Sequence, residues 1–230
     1  MVNKKTFDAA VDTILSNAAR LLDDATMLEF SEPPTSAIFL TQIAQEELAK
    51  AFLLCLVARG IVPWHQHILR ATRDHTCKQL LGIVMDHVNP TDELFQSRIR
   101  AAIDRREFHR FPRKVADAIN ILRHEKIGRW FSSSWAWAED PEYDKEALAV
   151  AEGKSDKRKQ DVLYVRLGVN GAVASTPQTT RGGSLADEMD RAKRFKSLVE
   201  SLRDERETSG FDWKDVEETF RLLFSSAYPE

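Results

Sequence analysis

Two groups of ionisable side chains lie on neighbouring predicted helices, and their types could support ion pairing or acid–base chemistry. In the first group, Glu46, Glu47 and Lys50 interrupt a segment that is otherwise mostly apolar. Spacings of three and four residues place these side chains near one another on a helix surface. Because a buried charge needs a partner, both a register-setting salt bridge and a functional polar pocket fit this pattern.

The second group follows on the next predicted helix, where His75 and Lys78 are three residues apart and share a face. Histidine titrates near neutral pH and can therefore move protons. The histidines of this region lack the spacing of a zinc site, and no Ser-His-Asp arrangement is recognisable. The sequence therefore predicts neither a metal nor a cofactor.

A third group is a dense basic run between two predicted helices. Arginine binds phosphate well, so this run could contact RNA, although such a run is more often a solvated face. The candidate RNA contacts are Arg105, Arg106, His109 and Arg110. Three tryptophans follow within eight residues, either as an aromatic lid on the core or as a platform for nucleobases: Trp130, Trp135 and Trp137.

The composition is that of an ordinary globular protein. The chain has 230 residues, of which 43% are hydrophobic and 30% charged, with a net charge of −3. This excludes global disorder and a protein-wide basic field. Cys55 and Cys77 lie in apolar helical patterns, which indicates reduced core residues of a cytoplasmic protein. Charged residues interrupt the longest apolar stretch, residues 37–57, so we expect no membrane span.

Hydrophobic periodicity predicts a single all-α domain over residues 1–230. We expect a core bundle at about 6–139, an irregular insertion at 153–184 with a short β part near 161–184, and C-terminal helices at 185–225. Within the bundle, helices are predicted at 6–30, 35–59, 64–88, 92–106 and 113–129, with the second at its centre. The charged run 154–159 is interpreted as solvated, and 162–167 is the best strand candidate.

Four stretches, in this order along the chain, resemble the AbiV family of bacterial abortive-infection proteins, which belongs to the HEPN superfamily. The most specific features are Glu-Glu-x-x-Lys at 46–50, on an apolar helix, and His-x-x-Lys at 75–78. The stretches are 18–25, 37–51, 73–78 and 159–165, and a loop with Pro177 follows the last. The chain carries Arg166 where the family usually has an acidic residue.

The resemblance implies a HEPN-like helical bundle that forms a homodimer. Many HEPN domains are metal-independent ribonucleases built on an arginine, four to six further residues and a histidine. Arg70 and His75 fit this pattern, whereas the other match, Arg59 and His65, spans a predicted helix break. The resemblance thus implies that His75 transfers the proton while Arg70 and Lys78 neutralise the phosphorane.

Helix geometry constrains this assignment. At roughly 100° per residue, Arg70 and His75 are about 140° apart on a regular helix. They can meet one phosphate only if the helix begins between them or if a two-fold axis joins two chains. We also expect Glu47 and Lys50 to form a partly buried network with the helix that carries His75.

Three functions are consistent with these features. The first is an anti-phage effector that attacks RNA or the translation machinery and responds to a phage-encoded trigger protein. The alternative is a non-catalytic toxin or interaction module that blocks a partner protein. The third is a helical scaffold without toxicity. Cleaved RNA termini would distinguish the first from the second.

Overall fold

The computed structural model describes residues 3–105, 112–131, 142–177, 184–205 and 213–225. This part is all-α with one small hairpin, as the sequence predicts. The first six helices are α1 (Lys4–Met27), α2 (Thr35–Ala58), α3 (Gln66–Ala71), α4 (His75–Val88), α5 (Asp92–Arg105) and α6 (Arg113–Asn120). A π-helical segment (Ile121–Gly128) joins α6 to α7 (Arg129–Phe131), and α8 (Lys145–Ala151), α9 (Lys154–Asp161), α10 (Leu185–Arg203) and α11 (Trp213–Ser225) follow.

Helix α2 lies at the centre of the bundle and packs against α1, α4 and α10. Its apolar residues occur on nearly every side, so it must be surrounded by other helices. Leu48, Phe52, Leu53 and Leu56 have no accessible surface. Polar side chains in the middle of this helix, such as Gln45 and Glu46, are therefore buried against neighbouring helices.

Helices α1 and α10 cover two sides of α2. The buried residues Phe7, Val11, Ala18 and Leu21 form the apolar stripe predicted for α1. Helix α10 contributes Phe195, with other apolar residues at helical spacing. These contacts bring the C-terminal part of the chain onto the central helix, where residues of α10 line a cavity beside Glu46.

The region predicted as one helix over 64–88 is two helices, α3 and α4. The turn between them contains Asp74, whose side-chain oxygen accepts a hydrogen bond from the backbone N–H of Cys77 at 2.8 Å. An aspartate at this position satisfies an otherwise unpaired amide and favours a helix start over continuation of the preceding helix. Helix α4 therefore begins between Arg70 and His75, so these two residues do not lie on one regular helix.

The charged run at 154–159, expected to be solvated within an irregular insertion, is helical and only partly solvated. It forms α9, which packs against α8 and α4. Lys159 is buried, and so is Val162 immediately after the helix. The interpretation as solvated was wrong for Lys159, although Lys154 and Lys157 are exposed, because one side of a charged helix can still face the protein interior.

The predicted strand at 162–167 is reduced to β1 (Arg166–Leu167), which pairs antiparallel with β2 (Val173–Ser175). The helix predicted over 113–129 changes to π geometry at Ile121. Cys55 and Cys77 are buried free thiols, and burial raises the pKa of Cys55 to about 12. In the described part of the chain, none of the helices combines the length and apolar character needed to cross a membrane.

Candidate functional site

The carboxylate of Glu46 is the centre of a buried polar cluster between α2, α4 and α9. Its side chain is only 6% exposed. Four donor groups surround its two oxygens. They are His75 Nδ1 at 2.6 Å, Lys159 Nζ at 2.7 Å, Lys78 Nζ at 3.0 Å and Gln79 Nε2 at 3.2 Å. Because a carboxylate has about four acceptor positions, this carboxylate is fully satisfied.

The environment of Glu46 keeps it ionised. Burial by itself raises the pKa of this carboxyl, but the hydrogen bond from Lys159 and the charges of Lys78 and Lys159 outweigh burial. The net result is a pKa lowered to about 2. At neutral pH the site therefore contains a fixed negative charge held between two ammonium groups.

Two short helical segments deliver the donors. His75, Lys78 and Gln79 lie in the first turns of α4, and spacings of three and four residues put them on the side that faces α2. Lys159 comes from α9, where it also pairs with Asp156 at 2.9 Å, three residues earlier. The cluster depends on where α4 begins and on the path of the chain beyond α8.

His75 is the partly exposed member of this cluster. Its side chain is 51% exposed, although Nδ1 lies against the buried carboxylate. Because a carboxylate only accepts hydrogen bonds, we assign a proton to Nδ1 in this contact, which makes Nε2 the acceptor nitrogen of the neutral ring. Nε2 has no hydrogen-bond partner among the described residues. A carboxylate that orients an imidazole in this way is a recurrent arrangement for proton transfer.

A cavity of about 250 Å³ adjoins the cluster. Glu46, Lys78 and Lys159 line it together with residues of α10. Glu188 of α10 accepts hydrogen bonds from Gln42 and Gln45 of α2 at 3.1 and 2.7 Å. These contacts join the cavity wall to the central helix.

Arg191 extends this hydrogen-bond network on the α10 side. It pairs with Asp86 at 2.7 Å and donates to Gln45 Oε1 at 3.0 Å. The cavity is consequently lined by both signs of charge. Its residues come from four helices, α2, α4, α9 and α10, and one further residue, Val150, comes from α8.

Of the predicted catalytic set, the structure brings together His75 and Lys78 but not Arg70. The Arg70 guanidinium lies 4.4 Å from the ring centroid of Trp130. It forms no hydrogen bond or ion pair with His75, Lys78 or Glu46, all of which the structure describes. The break before α4 separates Arg70 from the cluster, because the two helices no longer share one axis.

The predicted group of Glu46, Glu47 and Lys50 is also divided. Lys50 pairs with Glu47 at 2.5 Å, and Asn17 of α1 donates to Glu47 at 3.3 Å. The expected network of Glu47 and Lys50 with the histidine-bearing helix was wrong, since Glu47 contacts α1 and Lys50 pairs with Glu47. Glu46, one residue earlier, is the one that faces α4.

The candidate RNA contacts lie largely outside the described residues. Arg105 ends α5, whereas Arg106, His109 and Arg110 are outside the described ranges, as are Trp135 and Trp137. The RNA role of this basic run therefore stays a prediction.

Lys159 and Asp156 are site residues that the sequence analysis missed. They were assigned to a solvated charge run, which is the usual interpretation of such a segment. A signal was nevertheless present, because the last stretch resembling AbiV begins at Lys159. Gln79 was missed as well, although it directly follows Lys78.

A second geometric feature of the cluster concerns cations. Glu46, His75 and Asp156 each offer one ligand atom, and these atoms all lie within 4.8 Å of one another. The sequence analysis expected no metal ligands. Lys159 Nζ contacts all three groups, at 2.7 Å from Glu46, 2.9 Å from Asp156 and 3.2 Å from His75 Nδ1.

Comparison with known proteins gives one family. The family model for AbiV, a HEPN group, matches residues 7–197, which include every described residue of the cluster. No curated protein and no solved structure matches the chain significantly.

Proposed function

Because the chain belongs to the AbiV family of HEPN proteins, we propose that it is an anti-phage abortive-infection effector that cleaves RNA without a metal ion. In this proposal it acts in the cytoplasm as a homodimer, on RNA of the cell or of its translation machinery. A phage-encoded protein triggers it. Membership of this family supports a role in abortive infection. The ribonuclease mechanism goes beyond the membership and is our proposal.

The observation that carries the proposal is the contact between His75 Nδ1 and Glu46 at 2.6 Å. It holds the imidazole ring through Nδ1, on a side chain that is 51% exposed, and leaves Nε2 without a hydrogen-bond partner among the described residues. In RNA cleavage, the 2′-hydroxyl attacks the adjacent phosphorus and the bond to the 5′-oxygen breaks. One group must accept the first proton, and another must donate a proton to the leaving oxygen.

A homodimer would supply both groups, because two copies of His75 could face one phosphate across a two-fold axis. Glu46 would stabilise the imidazolium that forms when His75 accepts the proton. Histidine suits this reaction because its ordinary pKa lies near neutral pH.

The phosphate-binding role divides between the predicted cations. Lys78 is 8% exposed and its ammonium contacts Glu46 at 3.0 Å, so reaching a phosphate would leave the buried carboxylate with one ammonium fewer. We therefore assign Lys78 to holding Glu46. Arg70 is exposed and stays the proposed phosphate contact, with Trp130 supporting its guanidinium plane.

The test is to sequence RNA ends after induced expression of the wild-type chain and of His75→Ala. We expect new 5′-hydroxyl ends with the wild type and none with His75→Ala, because loss of general acid–base catalysis costs about a hundred- to ten-thousand-fold in rate. Chelator should leave the wild-type rate unchanged. His67→Ala is the matched control, since His67 lies on α3 against Phe131 and outside the cluster.

A folded His75→Ala variant that still produces the same RNA ends would contradict the proposed mechanism. Circular dichroism and light scattering on both variants should show that folding and assembly are unchanged. A wild-type chain that is a 26.2 kDa monomer at micromolar concentration would contradict the homodimer.

A second candidate function is a non-catalytic toxin that blocks a partner protein. The β1–β2 hairpin region favours it, because several large apolar side chains there are exposed to solvent. Exposed apolar clusters of this kind mark protein interaction surfaces. They are Tyr164, Val165, Leu167, Val169 and Val173. Growth arrest with intact RNA, lost on Leu167→Ser but kept on His75→Ala, would favour this second function.

A further inference from the structure

The ammonium group of Lys159 lies at the position that a metal ion would take between Glu46, His75 and Asp156. Its nitrogen is 2.7 to 3.2 Å from one atom of each residue. Two carboxylates and one imidazole are a ligand set that binds zinc and similar transition metals, whereas magnesium and calcium prefer oxygen alone. Three protein ligands with one open position also match the pattern of reactive zinc sites.

We infer that Glu46, His75 and Asp156 form a latent site for a divalent transition metal, with Lys159 as its resident cation. The wild-type chain fills this site with its own ammonium group. When that charge is removed, the three ligands bind zinc. The inference concerns binding alone, so it stands apart from the proposed ribonuclease activity.

Zinc binding requires the three ligands to move, because metal–ligand bonds are shorter than the contacts of the ammonium group. Zinc lies about 2.0 to 2.2 Å from nitrogen and oxygen ligands, which is shorter than the contacts made by the ammonium. The ligands must therefore close in by about 0.5 to 1.2 Å, the most at His75 Nδ1. His75 is half exposed, and the Asp156 side chain is 26% exposed on the short helix α9, so both have room to move.

The protonation of His75 is compatible with this change. Metal binding at Nδ1 requires that nitrogen to lose its proton. Nε2 can carry the proton instead, because it has no hydrogen-bond partner among the described residues. Glu46 would remain paired with Lys78 while it binds the metal, so one of its present ion pairs is kept.

Charge explains why the wild-type site prefers its lysine. The ammonium already neutralises the two carboxylates, and it repels a second cation at short range. It is also tethered, because Lys159 is fixed on α9 and its side chain is only 6% exposed. A free metal ion must displace a tethered group and must therefore compete with a high local concentration.

The experiment is a calorimetric titration of zinc chloride into the wild type and into Lys159→Met, which keeps the apolar stem and removes the charge. We expect the variant to bind one zinc ion about 10- to 100-fold more tightly than the wild type, in the range of the effects of groups around metal ligands. Lys157→Met is the matched control, because Lys157 is an exposed lysine on the same helix. It should bind zinc like the wild type.

Adding His75→Ala or Asp156→Asn to Lys159→Met should return zinc affinity to the wild-type level. Cobalt(II) in place of zinc gives visible absorption bands that report nitrogen and oxygen ligands. Equal zinc affinity of wild type and Lys159→Met, or a gain that survives His75→Ala, would overturn the inference.

Lys159→Met could also lower the stability of the fold. Thermal melts with and without zinc test zinc binding in that case. A ligand that binds only the folded state raises the melting temperature. Zinc should therefore raise the melting temperature of Lys159→Met, and of Lys159→Gln as a second uncharged variant, but not that of the wild type. Absence of this zinc-dependent rise in both variants would also overturn the inference.

Discussion

Glu46 and Glu47 are adjacent on α2, yet their surroundings differ in almost every respect. Glu46 is surrounded by side chains of α4 and α9, with partners 29 to 113 positions away in sequence. Glu47 pairs with Lys50 of its own helix and with Asn17 of α1. One carboxylate joins distant parts of the chain, whereas the other mainly forms a local ion pair.

The comparison separates two kinds of charge on a central helix. A rotation of about 100° between neighbouring residues directs one carboxylate towards α4 and α9 and the other towards α1. The local pair forms wherever the helix forms. The Glu46 cluster forms only when α2, α4 and α9 are packed together, so it depends on tertiary structure. Of the two carboxylates, Glu46 is therefore the one suited to a role in chemistry.

The largest expected effect comes from Glu46→Ala. Removing this carboxylate leaves Lys78 buried with no other ion-pair partner among the described residues and deprives Lys159 of one of its two carboxylates. Breaking a buried pair by removing one partner costs about 3–5 kcal/mol. Urea unfolding at pH 7 should therefore show the free energy of unfolding reduced by this amount.

The control for Glu46→Ala is the double variant Glu46→Leu/Lys78→Met, which removes the stranded ammonium as well. It should recover part of the lost stability, because well-packed apolar groups can replace a buried ion pair. A single-variant loss below about 1 kcal/mol would show that water reaches the cluster and that Glu46 resembles Glu47 after all.

The next effect is the dependence of stability on pH that Glu46 produces. The pKa of Glu46 is about 2 in the folded chain, against an ordinary value of 4.5. A lowered carboxyl pKa stabilises the fold above pH 4.5, and this contribution is lost as the pH falls towards 2. The total is about 3 kcal/mol, at 1.36 kcal/mol per pKa unit.

The measurement is the difference in unfolding free energy between the wild type and Glu46→Gln as a function of pH. This difference should be constant above about pH 5 and should shrink below it. His87 acts in the same direction but at higher pH, since burial and then Arg98 lower its pKa from 6.5 to about 4. Both proteins contain His87, so its contribution cancels. A difference that stays constant down to pH 3 would refute the prediction.

The two carboxylates also show what the sequence could predict. The stripe of α1 and the all-round apolar character of α2 follow from periodicity, and both helices lie where periodicity places them to within a few residues. The close pairing of Glu47 with Lys50 follows from their spacing of three. These features depend on residues close in sequence, so a local pattern contains the necessary information.

The parts that were missed depend on distant residues. The break before His75 depends on the Asp74 cap, which competes with an apolar pattern that continues through it. Lys159 lies 113 positions from Glu46, and nothing within α9 indicates that one of its lysines is buried. Only the resemblance, which reaches Lys159, pointed to that residue.

The smallest expected effect is that of Glu47→Ala, and it tests the other side of the comparison. Glu47 and Lys50 have side-chain exposures of 17% and 25%, so water screens their interaction in part. Pairs three residues apart on a helix contribute about 0.2–0.5 kcal/mol, and partial burial raises this towards about 1 kcal/mol. A double-mutant cycle of Glu47→Ala and Lys50→Ala, by urea unfolding at low and high salt, should give a coupling energy in this range that falls as salt increases. A salt-independent coupling of about 3 kcal/mol or more would place Glu47 in the same class as Glu46, because salt screens buried pairs much less than exposed ones.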